Sequence, residues 1–118
     1  MNTNVDVNRN PLWSKTDELV RSVLGFSDTL PNSQSQDLSL RLKQCIGCVT
    51  PYIEAGLKHD SKLDKIRCWQ VVNAILAECR VYLNLAEAMN FGKTRKLIDR
   101  VDEVSKMIIS SYFGRTVH

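Results

Sequence analysis

The sequence predicts an all-α fold, an antiparallel up-down-up-down four-helix bundle. Three observations carry that expectation. Apolar residues recur at intervals of three and four along the whole chain, the period of a helix face. Only 5 Gly and 3 Pro punctuate the 118 residues, too few for a turn-rich β-sandwich. Four periodic segments with short breaks between them favour antiparallel neighbours. The length suits one domain. A 43% hydrophobic content supplies one core and argues against disorder. The expected organisation is a loose segment over 1–9, the bundle over 10–113 and a loose tail over 114–118.

The first segment runs from about Asn10 to Asp28. Asn10-Pro11 reads as an N-cap followed by proline at the first helical position, where the missing N–H costs nothing. Leu12, Leu19, Val23, Phe26 and Leu30 form its stripe, widened by Trp13, Val20 and Leu24. Leu30-Pro31-Asn32-Ser33-Gln34-Ser35 reads as a loop.

The second segment spans about Ser35 to Gly56. Leu38, Leu42, Cys45, Val49 and Tyr52 share a face, with Ile46 and Ile53 beside them. Pro51 removes one helical hydrogen bond and crowds the carbonyl of Gly47. A kink is expected there rather than a chain break, because the apolar spacing continues to Ile53. Gly56 suits the position just past the helix end.

The third segment opens on Ser61-Lys62-Leu63-Asp64, a capping box with Asp in place of Glu or Gln. Ile66, Trp69, Val72, Leu76, Cys79, Leu83 and Ala86 form one stripe; Cys68, Val71, Ile75, Tyr82 and Met89 form a second beside it. Two apolar faces on one helix imply burial on two sides. A small monomeric bundle leaves one of them wet, so a subunit interface is the natural use. The fourth segment runs from about Thr94 to Tyr112, with Leu97, Val101, Val104 and Ile108 on its stripe and Ile98 and Met107 alongside.

No uncharged apolar run approaches the ~20 residues of a membrane helix, and the polar start, Met1 to Asn10, carries no secretory signal. The expected compartment is the cytoplasm. The net charge of +3 is mildly basic, so the distribution of charge matters more than its total.

Cys45-x-x-Cys48, with Cys68 and Cys79, supplies four candidate zinc ligands. Zinc sites place such pairs on knuckles or tight turns; here each cysteine falls inside a helical pattern. Cys45 and Cys79 fill core slots. Four reduced thiols are the plain expectation, with a helical metal-binding or redox protein as the alternative. His59 lies in a loop and His118 ends the chain. There is no H-E-x-x-H, no glycine-rich phosphate loop, and no Glu-x-x-His pair of a di-iron bundle. No nucleophile, base, metal cage or cofactor motif is visible, and a non-enzyme is expected.

Basic residues cluster twice: Lys58, Lys62, Lys65 and Arg67 against Asp60 and Asp64, then Lys93, Arg95, Lys96 and Arg100 against Asp99. An up-down bundle sends these groups to opposite ends, the first near the termini. Each alone reads as a solvated helix end. Repeated around a symmetric oligomer, they build a positive surface able to displace phosphate counterions. Arg80 sits mid-helix, where a charge needs a partner: an intersubunit salt bridge, another protein or RNA.

The pattern resembles a known family. Leu30-Pro31, Leu38-x-x-x-Leu42-Lys43 and Ile53-x-x-Gly56 look like that family's second helix. Ser61-Lys62, Leu76-Ala77-Glu78 and Leu83-x-x-Ala86-x-x-Met89-Asn90-Phe91 look like its long third helix. Val101-Asp102-Glu103-Val104-Ser105-Lys106-Met107-Ile108-Ile109-Ser110-Ser111-Tyr112 is similar to the closing helix of Avd, the accessory protein of diversity-generating retroelements. The resemblance covers about Trp13 to Tyr112. It extends to the four-helix-bundle proteins encoded in bacterial ribosomal-RNA intervening sequences, which stand as the alternative assignment. It implies a homopentameric ring with no catalytic residues and no cofactor. It also implies that the ring binds a reverse transcriptase and template RNA during error-prone cDNA synthesis. On charge, the residues expected to meet nucleic acid or polymerase are Arg41, Lys43, Arg67, Arg80, Arg95 and Lys96. For assembly the candidates are Trp69 and Tyr82, each of which also suits a core.

Overall fold

In the computed structural model, which describes residues 10–30 and 32–113, five helical segments build the chain. They are α1 (Pro11–Asp28), α2 (Asn32–Gly47), α3 (Val49–Lys58), α4 (Lys62–Ala88) and α5 (Arg95–Phe113). No strand occurs among the described residues. α2 and α3 together form one arm, so the architecture is a four-helix bundle. Around it, α1 packs on the α2–α3 arm and on α5, and α4 packs on the same arm and on α5. Neighbours in sequence are therefore neighbours in space, as short connections require. The molecule measures 52 × 31 × 20 Å. No helix among the described residues is long and apolar enough to cross a membrane. The expected loose segments over 1–9 and 114–118, and Pro31, lie outside the described residues.

The ends of the helices follow their caps. The Asn10 side chain accepts from the Leu12 N–H at 2.8 Å with Pro11 at the first position of α1. The Ser61 hydroxyl accepts from the Asp64 N–H at 3.3 Å at the start of α4. α4 closes on Asn90, whose φ of 60° is left-handed. The Asn90 N–H bonds the Glu87 carbonyl at 3.0 Å and the Phe91 N–H bonds the Ala86 carbonyl at 2.8 Å. That pair of bonds is a Schellman closure, and Asn is the non-glycine residue best suited to it.

Three boundaries differ from the sequence expectation. The loop after Leu30 is shorter, because α2 starts at Asn32. Polar residues cost little in a first turn, whose amides lack intrahelical partners anyway. The second segment does not merely kink: α2 ends at Gly47 and α3 begins at Val49, with Cys48 between them. The cause is the one anticipated, one turn upstream of the proline. Pro51 can neither donate to the Gly47 carbonyl nor fit closely beside it, so the helix yields at Gly47–Cys48. Cys48 keeps φ −83° and ψ −12°, so the chain bends without a loop. Gly56 lies inside α3, which continues to Lys58. Its missing side chain makes room for Trp69: a Cβ there would stand 2.6 Å from two carbons of the indole.

The core comprises Leu12, Leu19, Val23 and Leu30 from the first arm; Leu38, Leu42, Ile46, Val49 and Ile53 from the second; Cys68, Trp69, Val72, Leu76, Cys79, Leu83 and Ala86 from α4; and Ile98, Val101, Val104 and Ile108 from α5. The buried face of the second arm is rotated from the expected one. Ile46 and Ile53 occupy its centre, while Cys45 is half-buried and Tyr52 is exposed. Phe26, Ile66, Leu97 and Met107 sit at the margin of the core rather than within it.

Candidate nucleic-acid and protein interface

The six expected contact residues do not form one patch. Arg41 is exposed on α2 and pairs with Asp37 one turn earlier at 3.0 Å. Its charged form is favoured first by the Asp37 hydrogen bond and then by Tyr82. Lys43 pairs with Asp28 at 2.7 Å and so ties α2 to the end of α1. Arg80 reaches Asp102 of α5. The partner that a mid-helix charge demanded is thus inside the chain, and the expected intersubunit bridge is replaced by a link between α4 and α5. Arg67 is exposed near the start of α4, and Arg95 and Lys96 are exposed at the start of α5. Arg67 thus lies at one end of α4, and Arg95 with Lys96 at the other, as an up-down bundle requires. Lys58, Lys62, Arg67 and Lys96 form no ion pair among the described residues. Lys65 is spent locally: its ammonium donates to the carbonyls of Gly56 at 2.9 Å and Leu57 at 3.3 Å, capping α3.

Of the two assembly candidates, Trp69 belongs to the core. It is 4% exposed and wedged against Gly56. Its place on the outer surface is taken by Val71, Val81, Leu85 and Met89, which are 37–61% exposed along α4. The charges within that stretch are engaged. Glu78 accepts from the Tyr82 hydroxyl at 2.7 Å, Arg80 holds Asp102, and Glu87 binds Thr94. The outer side of α4 is an apolar strip whose charged residues are turned to partners in the same chain.

Beside the strip, a groove of about 390 Å³ runs between α4 and the α2–α3 arm. Arg41, Tyr52 and Tyr82 line it with Val71, Ile75 and Glu78, and Cys45 and Cys48 border it as well. The Glu78 hydrogen bond pushes the Tyr82 phenol above its ordinary range, while Arg41 opposes that shift. The groove thus joins Arg41 and Tyr82, two residues that sequence reasoning placed in separate roles. Tyr52 was legible only as a core residue. A second, wider cleft of about 890 Å³ lies between the start of α1 and α5 and is lined by charges of both signs, Asp99, Arg100, Asp102, Glu103 and Lys106 among them.

The thiols are free and differ in burial: Cys48 is exposed, Cys45 intermediate, Cys68 and Cys79 buried. Burial pushes the Cys45 and Cys79 thiols up to about 12 each. Cys68 and Cys79 stand eleven residues apart on one helix, about 16 Å at 1.5 Å per residue, too far to share one ion. Among the described residues no group of three or more His, Cys, Asp or Glu is placed to hold a metal.

The connection into α5 rests on Glu87. Its carboxylate accepts the Thr94 N–H at 2.8 Å, while the buried Thr94 hydroxyl reaches the Leu83 carbonyl at 3.0 Å. The Thr94 backbone hydrogen bond holds Glu87 below the ordinary carboxylate value of 4.5, helped by Arg95 and Lys93. A lowered folded pKa contributes stability that is present above pH 4.5 and lost as pH falls through the folded value. The expected result is that Glu87→Gln flattens the acid side of a melting-temperature profile between pH 6 and pH 3, roughly the carboxylate window, relative to the native chain.

No family model, curated protein or solved structure matches the chain.

Proposed function

We propose that the chain is a non-enzymatic accessory subunit that joins a reverse transcriptase to its template RNA. Five copies form a ring around which its basic ends repeat. One observation carries the reading. Among the described residues, cations outside ion pairs gather at the two ends of α4, and the length of helix between them turns an apolar strip outward. A protein that contacts only solvent has no use for that strip, whereas a ring buries it and aligns the basic ends of successive copies. The similarity of the closing helix to Avd supplies the polymerase and RNA as partners. Arg67, Arg95 and Lys96 are the nucleic-acid contacts best placed for the role; Arg41 contacts a partner from the groove rim, and Tyr82 lies beside the subunit contact.

RNA binding by fluorescence anisotropy across a salt series tests the reading. Each phosphate contact removed lowers the slope of log affinity against log salt by about one unit and weakens all RNA sequences alike. The expected result is a shallower slope for Arg95→Glu with Lys96→Glu and no change for Lys43→Gln, whose ammonium is held by Asp28. RNA binding that is absent at low salt, or insensitive to salt, overturns it.

A further inference from the structure

Cys48 is the one residue between α2 and α3, and its N–H bonds the Cys45 carbonyl at 3.2 Å. A turn of that kind brings the two Cα atoms within about 7 Å, and a disulfide needs about 4.4–6.8 Å. Both residues line the groove between α4 and the α2–α3 arm. We propose that Cys45 and Cys48 are a vicinal dithiol that closes to a disulfide across the α2–α3 junction when the chain meets a low-molecular-weight disulfide such as oxidised glutathione.

The two thiols have different parts. Cys48 is exposed, so a reagent from solution reaches it first. Cys45 is half-hidden behind it and cannot be approached as freely. Neither sulfur is held strongly. Cys48 Sγ donates to the Gln44 carbonyl at 3.2 Å and Cys45 Sγ to the Ile75 carbonyl at 3.3 Å, and a thiol is a weak donor. Rotation of both side chains surrenders only these bonds. The helix is already interrupted at Cys48, so closure does not have to break an intact ladder. Cys79 approaches Cys45 from the core side but is fully buried, and Cys68 sits near the start of α4. Burial keeps Cys45 and Cys79 protonated, in line with entry through Cys48.

The chemistry balances as two exchanges. The Cys48 thiolate attacks one sulfur of the oxidised glutathione, forming a mixed disulfide and releasing one glutathione thiolate. Cys45 loses its proton to solvent and attacks Cys48 Sγ, forming the internal bond and releasing the second glutathione. The chain is oxidised by two electrons and the small disulfide is reduced to two thiols. The closed form loses the Cys45 tie to Ile75 and fixes the junction beside Arg41, Tyr52 and Tyr82. The step does not depend on any role with RNA.

Peptide mapping of the intact folded chain tests it. The protein is exposed to oxidised glutathione under native conditions, quenched with an alkylating agent, and digested with trypsin. Cleavage after Lys43 and Lys58 leaves Cys45 and Cys48 in one peptide, and cleavage after Arg67 and Arg80 leaves Cys68 and Cys79 in another. The expected result is a 44–58 peptide lighter by two hydrogens, with both thiols of 68–80 alkylated only after unfolding. Cys45→Ser is expected to stop at glutathione on Cys48. Cys48→Ser, a small change at an exposed position, is expected to slow thiol loss about tenfold or more. Four results overturn the proposal: no reaction, glutathione left on native Cys48 without closure, a Cys45–Cys79 crosslink between the two peptides, or Cys48→Ser oxidising at the native rate. If Cys45→Ser fails to fold, the native map and the Cys48→Ser rate still decide.

Discussion

Replacing Trp69 with alanine is expected to destabilise the fold by about 3–5 kcal/mol, the range for a buried aromatic truncated to Ala. The indole is 4% exposed and fills the space that Gly56 leaves open on α3. Truncation opens a cavity between α3 and α4 that neither helix can close. α3 is anchored on one side by the Cys48 junction and on the other by the Lys65 cap. The reciprocal change probes the same contact from the other side. Gly56→Ala drives a Cβ to 2.6 Å from the ring, so α3 must move or the indole must turn, at about 1–3 kcal/mol for an overpacked core. In the Trp69→Ala background the added methyl meets a void, and Gly56→Ala is expected to cost much less. Urea unfolding of the four chains measures this coupling. Independent, additive costs would show that Trp69 and Gly56 do not share a packing site.

The strip on α4 is expected to behave in the opposite way. Val81→Asp with Leu85→Asp places two charges on side chains that are 61% and 45% exposed. Such a change costs the isolated bundle little, because water solvates both charges. Buried between subunits, the same charges are unpaired and costly. If the proposed ring forms, the expected result is an unchanged far-ultraviolet spectrum with complete loss of the oligomer, read as mass by light scattering. A double variant that keeps its oligomer would show that α4 does not supply the subunit contact. A variant that unfolds would show that the strip belongs to the bundle's own core.

Much of this architecture is legible in the residues. Helix starts at Asn10 and Ser61 follow from side chains that cap their own backbone, a purely local effect. The core stripe of α4 follows from spacing alone, from Trp69 through Ala86. What the spacing does not resolve is rotation by one residue. On the second arm, Cys45 and Ile46, or Tyr52 and Ile53, satisfy the period equally well; in the fold the isoleucines are buried, while Cys45 bonds the Ile75 carbonyl of α4 and Tyr52 is exposed. Gly56 reads as a helix end because glycine ends many helices, and only the arrival of an indole from another helix shows its use. Long-range ties are invisible for the same reason. Nothing near Arg80 in the sequence announces Asp102, and nothing near Glu87 announces that it staples Thr94. The groove that joins Arg41, Tyr52 and Tyr82 needs three helices to be placed first. Charge clustering at the two ends is legible, but the engagement of Lys43 by Asp28 and of Lys65 by carbonyls is not. These contacts sort the cations left free for a partner from those that hold the bundle together.

We propose that this bundle serves a polymerase as a multimeric adaptor. Co-expression of the chain with a reverse transcriptase encoded beside it, followed by size-exclusion chromatography with light scattering before and after RNase treatment, tests it most directly. The expected result is a complex of one polymerase with five copies of the chain that persists at high salt after RNase. A chain that elutes alone as a 13.4 kDa monomer, with the polymerase in a separate peak, would contradict it.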